Sequence, residues 1–91
     1  MATSNKNLSA YDKSKIKSGA DLTIGIVVSE WNNEITSNLC KGAVQTLLEN
    51  NVLEENIKIQ KVPGAFELPL GAQFLLKNQS FDGIITIGTV I

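Results

Sequence analysis

The sequence contains no histidine and no arginine. Imidazole general-base chemistry and histidine metal sites are therefore beyond this chain. Its eight basic residues are all lysines, so bidentate phosphate recognition by a guanidinium is excluded too. Cys40 is the single cysteine. No internal disulfide framework can form, which fits a reducing, cytoplasmic setting. The formal charge is −1. With no basic excess and no polybasic run, neither nucleic acid nor a membrane surface is an expected partner. No apolar run approaches the roughly 20 residues of a spanning helix, and the first residues lack the apolar core of a signal peptide. There is no GxxxxGK[ST] loop. No GxGxxG follows the first apolar run either, where the chain reads Ser29-Glu30-Trp31-Asn32. A mononucleotide phosphate loop and a Rossmann dinucleotide site are both disfavoured.

What is present fits one small domain. The chain has 91 residues, 43% of them apolar. A domain of this size buries about 60–70% of its unfolded surface, so its core is marginal. Residues 1–21 are polar and lysine-bearing, with only Leu8, Tyr11 and Ile16 as large apolar side chains before Leu22. They read as an N-terminal arm, either an unstructured leader or a segment that orders against a partner subunit. Residues 22–91 carry the domain.

Leu22 to Val28 is nearly continuous in apolar character, as expected for a parallel strand buried on both faces. Gly25 within it suggests close packing by a helix. Asn32 or Asn33 is placed to cap the next helix, Glu34 to Asn50. Its expected buried stripe is Ile35, Leu39, Ala43 and Leu47, with Cys40, Val44 and Leu48 beside it. Cys40 reads as core rather than nucleophile. Asn50 or Asn51 ends the helix in a left-handed cap. A second strand spans Ile57 to Val62. A second helix, up to Asn78, buries Leu68, Ala72, Leu75 and Leu76. The third strand lies within Phe81 to Ile91. The β-α-β-α-β pattern predicts a three-layer α/β/α fold with a parallel sheet. Right-handed crossovers allow the strand order 2-1-3 with one helix on each face. The domain reads as cut after its third strand.

Between the second strand and second helix lies Val62-Pro63-Gly64-Ala65-Phe66-Glu67-Leu68-Pro69. Ligands in open parallel sheets bind beyond the carboxyl ends of the strands, at a switch in strand order. Here Gly64 is expected to take a φ that other residues resist, presenting the amides of Ala65, Phe66 and Glu67 near a helix start. The plainer alternative is a simple turn, with Glu67 favouring the helix dipole. The order 2-1-3 brings Trp31, this turn and Thr89-Val90-Ile91 to one crevice. Trp31 is either a packing residue or a platform for a heterocycle. Thr89 and Glu67 offer a hydroxyl and a carboxylate suited to polyol or ring N–H groups.

Three segments resemble the 6,7-dimethyl-8-ribityllumazine synthase family in register from about Leu22 to Ile91. They are Gly25 to Asn32 with Ile35-Thr36, Val62 to Pro69, and Ile84 to Ile91. The resemblance implies a flavodoxin-like fold and a transferase of riboflavin biosynthesis. Its substrates would be 5-amino-6-ribitylaminouracil and 3,4-dihydroxy-2-butanone 4-phosphate. By the same resemblance Trp31 stacks on the pyrimidine, Ala65, Phe66 and Glu67 bind the ribityl-side substrate, and Thr89, Val90 and Ile91 line the ring pocket. No metal or organic cofactor is implied. Family members assemble as homo-oligomers, pentamers or sixty-subunit shells. Their phosphate loop, proton-transferring histidine and phosphate-binding arginine come from later segments. This chain therefore carries substrate-binding but no catalytic residues, and alone is expected to be inactive. The competing readings are a non-catalytic binder of a flavin- or pterin-type ring and a structural shell-forming protein.

Overall fold

A computed structural model describes residues 10–90; residues 1–9 and Ile91, the last of the expected ring-pocket residues, lie outside the described residues. Three strands, β1 (Ile24–Ser29), β2 (Ile57–Val62) and β3 (Gly83–Ile87), alternate with two helices, α1 (Asn33–Glu49) and α2 (Leu68–Asn78). All strand pairs are parallel and the order is β2-β1-β3. This is the predicted topology. Its cause is visible in β1, where all six residues are buried. An all-apolar strand needs a neighbour on each edge and a helix on each face.

The two faces of the sheet are covered differently. Ile24, Ile26 and Val28 form one cluster with Val52 and Ile87, against which Cys40, Ala43, Val44 and Leu47 of α1 pack. Each such aliphatic side chain contributes about 1.5–3 kcal/mol on full burial. The alternate residues Gly25 and Val27 face α2. A Cβ on Gly71 of α2 would stand 2.6 Å from Val27 Cγ1 and 2.8 Å from Val62 Cγ1. Helix and sheet thus approach closely because Gly71 has no side chain.

Each helix turns most of its expected face to the sheet, Ala43 and Leu47 of α1 and Leu68, Ala72 and Leu75 of α2 among them, and departs from it at single positions. In α1, Ile35, Leu39 and Leu48 are exposed, whereas Thr36 is fully buried. The Thr36 hydroxyl reaches the carbonyls of Asn32 and Asn33 at 3.4 and 3.5 Å, which removes the penalty for burying it. In α2, Leu76 is 54% exposed and Gly71 takes the buried position. Pro69 sits in the first turn of α2, where a missing N–H costs nothing. After α1, Asn51 adopts the left-handed conformation at φ 74°, as expected for a helix end rich in asparagine.

At the amino ends of the strands, Asp82 joins β3 to β1. Its backbone N–H donates to the Thr23 carbonyl, and its carboxylate accepts from the Thr23 N–H, both at 2.8 Å. The described part of the N-terminal arm follows its own α1. The Tyr11 hydroxyl donates to Glu49 Oε1 at 3.4 Å and accepts from Asn50 Nδ2 at 3.2 Å. Gly19 N–H donates to the Asn50 carbonyl at 2.7 Å. Among the described residues, no helix is long and apolar enough to cross a membrane.

Candidate functional site

The carboxyl ends of the three strands are tied together by hydrogen bonds that run beyond the sheet. Past β1, Glu30 N–H donates to the Val62 carbonyl at 2.8 Å and Trp31 N–H to the Pro63 carbonyl at 3.1 Å. The β1–β2 ladder therefore continues into the two turns. It holds the backbone of Trp31 beside the Pro63-Gly64 turn while the residue stays 60% exposed. Such half-open placement suits an aromatic that meets a ligand face.

Asn32 makes the link to β3. Its side-chain amide donates to Thr89 Oγ1 at 3.1 Å across 57 residues of sequence. Its backbone is left-handed, with φ 55° and ψ 53°, and its side chain makes no capping bond to α1. The Asn32 carbonyl instead starts the helix, accepting from the N–H groups of Ile35 and Thr36 at 2.9 and 3.1 Å. The expected cap is thus a backbone one, and the side chain serves the crevice.

The turn after β2 differs from its sequence reading in two respects. Gly64 has φ −147° and ψ 178°. This is extended backbone open to any residue, so the glycine is not needed for its φ. A Cβ there would lie 3.2 Å from Glu67 Oε1, the movable end of a flexible side chain. The amides are also not all presented outward. Residues Ala65–Glu67 form a single 3-10 turn in which Glu67 N–H donates to the Gly64 carbonyl at 3.2 Å. The Glu67 carboxylate folds back over Gly64 and borders the crevice. Phe66 projects from the turn with 97% of its surface exposed.

Past β3, Gly88 passes under the β2 turn. A Cβ on it would meet Leu68 Cδ1 at 3.0 Å, Ser29 Oγ at 3.4 Å and Ala65 Cβ at 3.5 Å. Trp31, Ala65, Glu67 and Thr89 are thereby gathered at one end of the sheet. Val90, two residues past Gly88, is 91% exposed. Sequence reasoning missed Asn32, Gly88 and Ser29 as crevice residues. Ser29 is 1% exposed and its hydroxyl has no hydrogen-bond partner among the described residues. Nothing in a Ser-Glu-Trp-Asn string distinguishes an orphaned hydroxyl from a bonded one. Among the described residues, no group of His, Cys, Asp and Glu is arranged to hold a metal ion.

A second concavity, of about 580 Å³, runs between α1 and the β2 side of the sheet. Val28, Cys40, Val44, Leu48 and Ile59 contribute to its wall. It touches the crevice only at Ser29 and Glu30 and does not include Trp31, the Ala65–Glu67 turn or Thr89. The convergence of strand ends, rather than this groove, therefore defines the candidate site.

Comparison with known proteins gives the family. Residues 21–91 match the family model described as 6,7-dimethyl-8-ribityllumazine synthase. The chain belongs to the 6,7-dimethyl-8-ribityllumazine synthase family. A lumazine synthase of Porphyromonas gingivalis is 48% identical over 91 residues, covering all of this chain and 56% of the relative. One from Flavobacterium johnsoniae is 50% identical over 91 residues, again all of this chain and 48% of the relative. One from Bacteroides fragilis is 51% identical over 70 residues, which is 77% of this chain and 49% of the relative. The chain spans about half the length of these lumazine synthases.

Proposed function

We propose that this chain supplies the ring- and ribityl-binding part of a cytoplasmic 6,7-dimethyl-8-ribityllumazine synthase. The observation that carries the reading is the joining of all three strand exits, by the Trp31–Pro63 and Asn32–Thr89 hydrogen bonds. In this reading Trp31 stacks on the pyrimidine of 5-amino-6-ribitylaminouracil. Ala65, Phe66 and Glu67 hold the ribityl chain, the Glu67 carboxylate accepting from its hydroxyls. Thr89, Val90 and Ile91 line the ring pocket.

The second substrate is 3,4-dihydroxy-2-butanone 4-phosphate. Its ketone condenses with the 5-amino group to give an imine and water. Elimination then releases inorganic phosphate, and the ribityl-bearing nitrogen closes the second ring with loss of another water. Two reactants held in register account for much of such a rate, because orientation alone is worth about 7–11 kcal/mol in favourable cases. The crevice residues here orient the first reactant. They include no histidine to move a proton and no arginine to grip phosphate. Those groups come from outside these 91 residues, and the chain by itself is inactive.

The working assembly is a homo-oligomer, a pentamer or a shell built from pentamers. Within the N-terminal arm, residues 4–18 act between subunits. The apolar groove between α1 and β2 supports this, since the described residues leave it open and Glu49, the Tyr11 partner, lies on its wall.

The test is fluorescence titration of the chain's one tryptophan with 6,7-dimethyl-8-ribityllumazine. Quenching is expected, with Trp31→Ala weakening affinity about 5- to 150-fold, the equivalent of about 1–3 kcal/mol of stacking. For the variants, affinity is followed by the ligand's own absorbance. Trp31→Tyr should retain most of the affinity. Equal losses from the two changes would argue against stacking.

A further inference from the structure

We infer that Asn32 is the positioning residue of the crevice. Its left-handed backbone and its side-chain bond to Thr89 together lock the Trp31 turn onto the exit of β3. The inference rests on the reading of the crevice as a ring- and polyol-binding site.

Three observations lead to it. The first is conformational. Asn32 is one of two non-glycine residues with positive φ among those described. The other, Asn51, ends a helix and has an ordinary explanation. Asn32 stands at the start of a helix, where residues usually take extended backbone. A non-glycine residue held there in the left-handed region points to a local requirement. The second is the direction of its side chain. An asparagine at a helix start ordinarily bonds an N–H two or three residues on. Asn32 makes no such bond and instead crosses to Thr89 Oγ1. The left-handed turn permits both acts at once: the carbonyl starts α1 while the amide faces the opposite lip.

The third is the chemistry left at Thr89. A hydroxyl has one hydrogen and two lone pairs. With Asn32 donating to one lone pair, the Thr89 hydroxyl hydrogen remains available to a ligand acceptor, such as a ring carbonyl oxygen. Asn32 thereby fixes the rotor of Thr89 as well as the place of Trp31. The residue touches no reacting atom in this account. It acts through its two neighbours.

The experiment uses the purified protein, four single variants, Asn32→Gly, Asn32→Ala, Thr89→Val and Thr89→Ser, and the double variant Asn32→Gly/Thr89→Val. Glycine keeps the left-handed backbone and deletes the tie. Alanine deletes the tie and strains the backbone. Valine removes the acceptor and serine retains it. Without ligand, time-resolved anisotropy of Trp31 should show a larger fast-motion amplitude in Asn32→Gly and Thr89→Val, with the double variant no worse than either. Affinity for 6,7-dimethyl-8-ribityllumazine should fall about 5- to 10-fold in Asn32→Gly, the equivalent of one neutral hydrogen bond, and further in Thr89→Val, which also removes the hydroxyl hydrogen offered to the ligand. The losses should not multiply in the double variant. Thr89→Ser should restore both readouts. Thermal stability should follow a different order, with Asn32→Gly near the parent and Asn32→Ala clearly below it. A purely structural role would make affinity track stability. Unchanged anisotropy in Asn32→Gly and Thr89→Val, or multiplicative losses, would overturn the inference. Failure of the parent protein to bind the lumazine would instead sink the proposed function, and the anisotropy series would still decide the role of Asn32.

Discussion

Replacing Gly71 by alanine should destabilise the protein although it improves the helix. Alanine is better than glycine in a helix interior by about 0.8–1.0 kcal/mol. Gly71 has no positive φ to protect, so backbone conformation does not oppose the change. Space does. The new Cβ would lie 2.6 Å from Val27 Cγ1 and 2.8 Å from Val62 Cγ1, both below any real carbon–carbon contact. Neither valine can rotate away easily, because β-branched side chains are stiff at χ1. Val27 is fully buried in the central strand. Either α2 lifts from the sheet or the strands shift, and such overpacking typically costs about 1–3 kcal/mol. The expected net loss is up to about 2 kcal/mol. For an m-value of about 1–3 kcal/mol/M the urea midpoint should fall by up to roughly 2 M, read by far-UV circular dichroism. Gly42→Ala is the internal control. A Cβ at Gly42 in α1 meets nothing within 4 Å, so that variant should gain the propensity term alone and raise the midpoint. If Gly71→Ala also raises it, the claim that α2 and the sheet are held together at a glycine contact is wrong.

Two further outcomes follow from groups described above. Asp82→Ala removes the carboxylate that accepts the Thr23 N–H and should cost about 1–2 kcal/mol, measured as a lower urea midpoint; a change within error would mean that solvent replaces this bond freely. Ser29→Ala deletes a buried hydroxyl that has no described partner, whose burial costs about 1–3 kcal/mol, so thermal unfolding should shift upward, and a clear downward shift would show that the hydroxyl is bonded in solution.

The sequence carried the topology because the signal was redundant. Ile24 to Val28 is apolar at every position, and only a central parallel strand uses such a run. The crossover rule then left few strand orders. Helix faces were less legible for a specific reason. A stripe drawn through the largest apolar residues favours Ile35, Leu39 and Leu76, yet Thr36 and Gly71 are buried in their place. Thr36 hides its hydroxyl against its own helix, and Gly71 is buried because it is small. Neither property has a hydropathy signature. Trp31 and the Ala65–Glu67 turn were findable because strand exits in a parallel sheet point to one end. Asn32 was not, since the residue type that caps a helix is also the type that tolerates left-handed backbone. Gly64 shows the converse error. Its presence suggested an unusual φ, and the structure gives it an ordinary one beside a folded-back carboxylate.

The position of β1 has a consequence for synthesis. Of the three described strands, the one at the centre of the sheet is made first, and its two neighbours come later in the chain. Thr23 and its partner Asp82 are separated by 59 residues. At a translation rate of about 5–20 residues per second, the ribosome needs on the order of 3–12 s to deliver that partner. During this interval a six-residue apolar strand has at most one of its edges paired. Such a strand is a template for other chains. The same sheet order that gathers the crevice at one end thus makes the nascent protein dependent on protection until β3 emerges. Sequence changes that slow α2 or weaken the Asp82 clamp should then appear first as lower yield of folded protein, before any loss of binding in the molecules that succeed.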